Sequence, residues 1–139
     1  MSAIVVGYDG SEGSRASLDR AIDLAGELGD SVTVVFGSAP PGVIGGEMTS
    51  HEQAVHERGE TVLKHAADQA SAKSFEVETK MVEQHPVEAL VAEAKASDTR
   101  MIVVGNQGAP SPIAGAILGA VPFKLVHLSP VPVLVVPPS

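Results

Sequence analysis

Val103-Val104-Gly105-Asn106-Gln107-Gly108 is the stretch that decides the fold. It continues through Ala109-Pro110-Ser111-Pro112-Ile113-Ala114-Gly115-Ala116-Ile117-Leu118 to Gly119-Ala120-Val121-Pro122. An apolar run from Met101 to Val104, of the kind buried on both faces, enters glycine directly. A loop with three further glycines and two prolines follows, and Pro122 stands where a new helix can begin. Glycine allows close backbone approach and positive φ. A helix N-terminus offers unpaired N–H groups and the positive end of its dipole. Together they describe a cradle for phosphate. The plainer reading, a long strand-to-helix connection whose glycines only turn the chain, stays open on spacing alone.

Outward from this stretch, apolar segments alternate in period. Ala3 to Tyr8 reads as a first strand, closed by Asp9-Gly10-Ser11, with Asp9 or Ser11 able to cap the helix that follows. That helix carries Leu18, Ala21, Ile22, Ala25 and Leu28 on one face and ends at Gly29-Asp30. Val32 to Phe36 is a second strand. Gly37 to Thr49 has no period and is rich in proline and glycine, so it is the one stretch expected to be mobile. Ser50 to Ala72 reads as a helix with Val55, Val62, Leu63, Ala66 and Ala70 inward, and its Glu52, Glu57 and Glu60 as a solvated face. Phe75 to Val82 alternates, predicting a third strand near a sheet edge. Pro86 opens a third helix at a favoured first position, with Val87, Leu90, Val91 and Ala94 inward. A short helix runs from about Pro122 to Leu128, and Val131 to Val136 is the last strand. Pro130 and Pro132 lie at its start, where proline is tolerated only at an edge or a first residue. Strands alternating with helices predict a parallel sheet of right-handed βαβ units, covered by helices on both faces, in one domain over residues 1–139.

Bulk properties narrow the function. The 139 residues are 44% hydrophobic but only 3% aromatic, so the core is aliphatic. A formal net charge of -8 argues against nucleic acid and anionic membrane surfaces as partners, and obliges any bound phosphate to be held by local dipoles. There is no cysteine, no signal-peptide pattern and no bilayer-length apolar run, so a cytoplasmic protein is expected. His51, His56, His65, His85 and His127 show no metal-ligand spacing, and no metal site is expected. Ser11, Ser14, Ser38 and Ser111 lack a histidine and acid partner set in the sequence. Ligands of open α/β sheets bind beyond the C-terminal strand ends where strand order reverses. Asp9-Gly10 and Gly105 to Gly108 are the two segments whose composition suits that place. Neither is G-x-G-x-x-G, and no Walker lysine motif is present.

The ensemble resembles the universal stress protein family across nearly the whole chain. The resemblance rests on Val5-Val6-Gly7-Tyr8-Asp9-Gly10-Ser11-Glu12, on Val82-Glu83-Gln84-His85-Pro86-Val87-Glu88-Ala89-Leu90, on Ile102-Val103-Val104-Gly105, on Gly119-Ala120-Val121 and on Ser129-Pro130-Val131-Pro132-Val133-Leu134-Val135-Val136. It implies an open, Rossmann-like five-stranded parallel sheet in the order 3-2-1-4-5. It also implies binding of an adenine nucleotide, ATP or cyclic AMP, with or without Mg. The family motif is G-x2-G-x9-G followed by Ser or Thr. By that resemblance Gly105 and Gly108 are its first two glycines, Gly119 its third and Val121 the residue after the hydroxyl position. Val104 and Gly37 fall near the adenine, and Asp9 near adenine and ribose. The chain departs from the motif twice: ten residues separate Gly108 from Gly119, and Ala120 stands at the hydroxyl position. Pro122 also removes one helix N-terminal N–H.

The resemblance implies a stress-response regulator acting as a homodimer through the Val131 to Val136 edge strand, centred near Val133 or Leu134. A family member that has lost the nucleotide and acts only through protein contacts is the alternative. Enzymatic turnover is not expected, because nothing in the sequence positions a water or supplies a lysine or arginine finger; weak ATP hydrolysis is the residual possibility.

Overall fold

The computed structural model describes residues 2–38, 50–106 and 120–138. β1 (Ala3–Gly7), β2 (Ser31–Gly37), β3 (Glu78–Val82), β4 (Thr99–Gly105) and β5 (Val133–Val136) alternate with α1 (Glu12–Leu28), α2 (Ser50–Ala72), α3 (Pro86–Ala96) and α4 (Ala120–Leu128). The strands form one sheet in the order β3-β2-β1-β4-β5, every pair parallel. In register, Ile4 lies beside Val32 and Met101, and Val6 beside Val34 and Val103. Chain progression therefore runs one way from β1 to β3 and the other way from β4 to β5, and the direction reverses between β1 and β4.

Period-two alternation splits the sheet's side chains between two cores. Ile4, Val6, Val34 and Val103 pack with Leu18, Ala21, Ile22 and Ala25 of α1 and with Val62, Leu63, Ala66 and Ala70 of α2. Val5, Val35, Ile102 and Val104 pack on the opposite face with Val87, Leu90 and Ala94 of α3 and Leu125 of α4. Ile4, Leu18, Leu90, Ile102 and Leu125 are fully buried. Each side chain of this kind contributes about 1.5–3 kcal/mol by leaving water.

The helix ends follow local chemistry. Ser11 is the N-cap of α1, its Oγ accepting from Ser14 N–H at 3.2 Å. Asp9 is not the cap; its Oδ1 accepts from Ser11 N–H at 2.9 Å and shapes the turn before it. Gly29 closes α1 in the left-handed region at φ 73°. The next residue, Asp30, is buried and receives the Arg100 guanidinium from the start of β4, with Nη2 at 3.2 Å from Oδ1.

β1, β2 and β4 differ from the sequence reading by one or two residues at their ends, and three further boundaries differ for local reasons. β3 starts at Glu78, because residues 73–75 close α2: Ser74, at φ 56°, donates to Ser71 O and Phe75 N–H donates to Ala70 O. Phe75 and Val77 then pack on the core from this helix end and its connection, outside the strand. α4 begins at Ala120, so Pro122 is not its first residue. It lies buried within the first turn, where a missing N–H costs no helical bond. β5 begins at Val133, because the Ser129 hydroxyl donates to Val131 O and accepts from Val131 N–H, holding that residue in a turn. The stretch 39–49, within the segment expected to be mobile, lies outside the described residues. Among the described residues, no helix is long and apolar enough to cross a membrane.

Candidate functional site

The reversal between β1 and β4 opens a cleft at the C-terminal ends of the strands. Gly7, Val35 and Val104 supply apolar strand-end surface. Pro86 and Leu90 wall it from α3, and Val121 and Pro122 from α4. Asp9, Ser11 and Ser14 bring polar atoms from the turn and first residues of α1.

Close packing explains two of the glycines. A Cβ on Gly105 would lie 2.9 Å from Gly13 C and 3.1 Å from Gly13 O, so the bare backbone at the end of β4 lets α1 start against it. A Cβ on Gly37 would lie 2.8 Å from Pro86 Cα, so the missing side chain lets the β3–α3 turn fold over the end of β2. Both residues still line the cleft. Their absent side chains make room for this chain's own backbone, which sequence spacing does not reveal.

The β1–α1 turn is held from two sides. Gly10 turns at φ 84°, and its carbonyl accepts from Arg15 Nε at 3.3 Å and Nη2 at 3.2 Å. Tyr8 OH donates to Gln69 Oε1 of α2 at 3.1 Å, and Gln69 Nε2 donates to Arg15 O and Asp19 Oδ1, both at 2.8 Å. Burial pushes the Tyr8 phenol above its ordinary value, and nearby Arg15 opposes that only in part. Tyr8 is therefore neutral at physiological pH and serves as a wall of the cleft tied to α2.

Of the residues singled out in the sequence, Asp9, Gly37, Val104, Gly105 and Val121 come together around this one cleft. Ala120 is the first residue of α4. Gly108 and Gly119 lie outside the described residues. Sequence reasoning did not name Gly7, Tyr8, Val35, Phe36, Pro86 or Leu90 as site residues, although all line the cleft. The rule that ligands sit beyond strand C-termini would have nominated the first four from the ends of β1 and β2. Pro86 and Leu90 carry no such signal; they enter through packing of α3. Among the described residues no cluster of three or more His, Asp or Glu is placed to hold a metal ion.

The chain's comparison with known families agrees with this architecture. The model of the universal stress protein family matches residues 1–137. The chain belongs to the universal stress protein family. Universal stress protein Rv1636 of Mycobacterium tuberculosis is 32% identical over 153 residues, covering 96% of this chain and 94% of that protein. The crystal structure of a universal stress protein in complex with cAMP superposes with a TM-score of 0.77 at 30% identity, covering 99% of this chain and 98% of the other. A universal stress protein from Archaeoglobus fulgidus in complex with dAMP gives 0.75 at 22% identity, with 98% of each chain covered; at that identity it speaks for the fold alone.

Proposed function

We propose that this universal stress protein binds an adenine nucleotide, ATP or cyclic AMP, in the cleft between β1 and β4, and works as a regulatory homodimer in the cytoplasm. The observation that carries the reading is the cleft's make-up. Apolar strand ends and the Pro86 and Leu90 wall suit a purine, and the exposed Asp9 carboxylate at the rim suits a sugar hydroxyl. The relative at 30% identity solved with cAMP supports the same ligand class. The segment from Gly105 to Val121, with Gly108, Gly119 and Ala120, is the proposed phosphate side. β5 is an edge strand with Val133, Leu134 and Val135 half-buried, and it is the proposed dimer contact. We propose binding without turnover: among the described residues, the lining holds no lysine, arginine or histidine to stabilise a transferred phosphoryl group.

The test is calorimetric titration of adenosine, cyclic AMP and ATP into the nucleotide-free protein and its Asp9→Asn variant. Asparagine keeps an Oδ1 for Ser11 N–H, so the turn survives while the charge is lost. A hydrogen bond to a charged group contributes about 1.5–3 kcal/mol, or roughly tenfold to a hundredfold in affinity. The expected result is saturable binding to the native chain, weakened to that extent for all three ligands by Asp9→Asn. Binding unaffected by the substitution would remove Asp9 from the site. No binding of any of the three would leave the protein acting through protein contacts alone.

A further inference from the structure

Across the Asp9-Gly10-Ser11 turn from the nucleotide cleft lies a second, open cleft. Arg58, Thr61, Val62 and His65 of α2 form its other wall. These positions are i, i+3, i+4 and i+7, one stripe of a helix, so the sequence places two nitrogen-bearing side chains on the face that meets the turn. Asp9 and Ser11 belong to both clefts.

Lys73, Lys80 and Arg100 each pair with a carboxylate, whereas among the described residues neither Arg58 nor His65 forms an ion pair. Arg15 adds a second guanidinium at the same turn through its bonds to Gly10 O. Beside the one carboxylate of the lining, Asp9, the two guanidiniums make this cleft less negative than the chain as a whole, whose formal net charge is -8. The donors and acceptors are also specific. Arg58 offers a planar fork of N–H groups and His65 a ring N–H. Ser11 Oγ accepts from Ser14 N–H and so keeps its own proton to donate. Thr61 spends its proton on Glu57 O at 3.1 Å, and Asp9 Oδ1 is taken by Ser11 N–H, so what these two still offer is acceptor capacity. Forked donors opposite a few acceptors match a tetrahedral oxyanion that carries both bare and protonated oxygens.

We infer that this second cleft binds a phosphate group, held by Arg58 and His65 across the turn from the nucleotide cleft. The group is inorganic phosphate, separate from the nucleotide phosphates proposed for the Gly105 to Val121 side. The inference does not rest on the adenine reading, because the second cleft is built by α2.

The test begins with the nucleotide-free protein in phosphate-free buffer. Inorganic phosphate is added while the backbone amides of Gly10 and Ser11 and the Arg58 Nε–H are followed by NMR. Saturable shifts at millimolar phosphate are expected. Arg58→Gln, which leaves the helix intact, should weaken the binding at least about tenfold, the loss expected for one charge-assisted hydrogen bond, and His65→Gln should weaken it less. Unchanged melting temperatures would show that both variants are folded. The double variant is then titrated with ATP and with adenosine. Unchanged affinity for both is expected of a site for free phosphate, whereas a loss for ATP alone would assign the nucleotide's own phosphates to α2 and overturn the inference. No saturable shift in the native protein, a response undiminished in the double variant, or an equal loss for ATP and adenosine would overturn the inference.

Discussion

Gly105→Ala puts the packing at the switch point to the test. The added methyl would sit 2.9 Å from Gly13 C, 3.1 Å from Gly13 O and 3.2 Å from Gly13 Cα. These are main-chain atoms in the first turn of a helix, and they cannot rotate away as a side-chain tip would. The start of α1 must move instead, carrying Ser11 and the Asp9 turn with it. Inserting a methyl into a packed site of this kind costs about 1–3 kcal/mol. In a domain of 139 residues each kcal/mol lowers Tm by about 3–4 °C, so Gly105→Ala should melt about 3–12 °C below the native protein. Gly26→Ala is the matched control. It lies in α1 itself, a Cβ there meets nothing within 4 Å, and replacing a mid-helix glycine should stabilise by about 0.5–1 kcal/mol. Thermal melts by circular dichroism should therefore move in opposite directions for the two variants. A Gly105→Ala protein that melts at or above the native temperature would refute the packing argument. If it then lost nucleotide affinity, the glycine would be needed for the ligand and not for α1.

Other consequences are equally open to measurement. Tyr8 is the sole tyrosine and there is no tryptophan, so alkaline phenolate absorbance reads this one group, and half-ionisation should come above its ordinary value of 10.0. Because the unfolded tyrosine ionises first, stability should fall as pH rises from that value towards the folded one; Tyr8→Phe should flatten the fall in alkaline melts. Arg100→Met should lower Tm more than Lys73→Met, since Asp30 is 2% exposed and would be left buried without its partner, whereas Asp23 is 59% exposed and stays solvated. Val133→Lys and Leu134→Lys, made separately, should each convert a dimer to monomer in sedimentation runs at micromolar concentration; a dimer that survives both would place the contact elsewhere than β5.

Much of the fold was legible because its period was strong. The residues of α2 run from Ser50 to Ala72, as their apolar spacing predicts, and the glycine after Val104 does end β4. Two of the misreadings share a cause: a local hydrogen bond decided an end that apolar pattern left ambiguous. Phe75 and Val77 alternate like a strand, yet the bond from Phe75 N–H to Ala70 O ties Phe75 to α2. Val131 alternates like β5, yet Ser129 takes both of its backbone groups. The sequence offers no partner for Arg100, because Asp30 lies 70 residues away at a helix end. In the cleft, turn chemistry and family resemblance pointed to Asp9 and Gly105. The Pro86 and Leu90 wall emerges only when α3 is laid across the sheet.

The central claim is that an adenine nucleotide occupies the cleft between β1 and β4. The most direct measurement is titration of the isotopically labelled protein with cyclic AMP, following every backbone amide. The account predicts that Gly7, Val35, Gly37, Val104 and Gly105 shift together along one saturation curve, while the far end of the sheet around Ala3 and Ser31 stays still. No saturable shift at millimolar ligand, or shifts confined to residues outside the cleft, would contradict it.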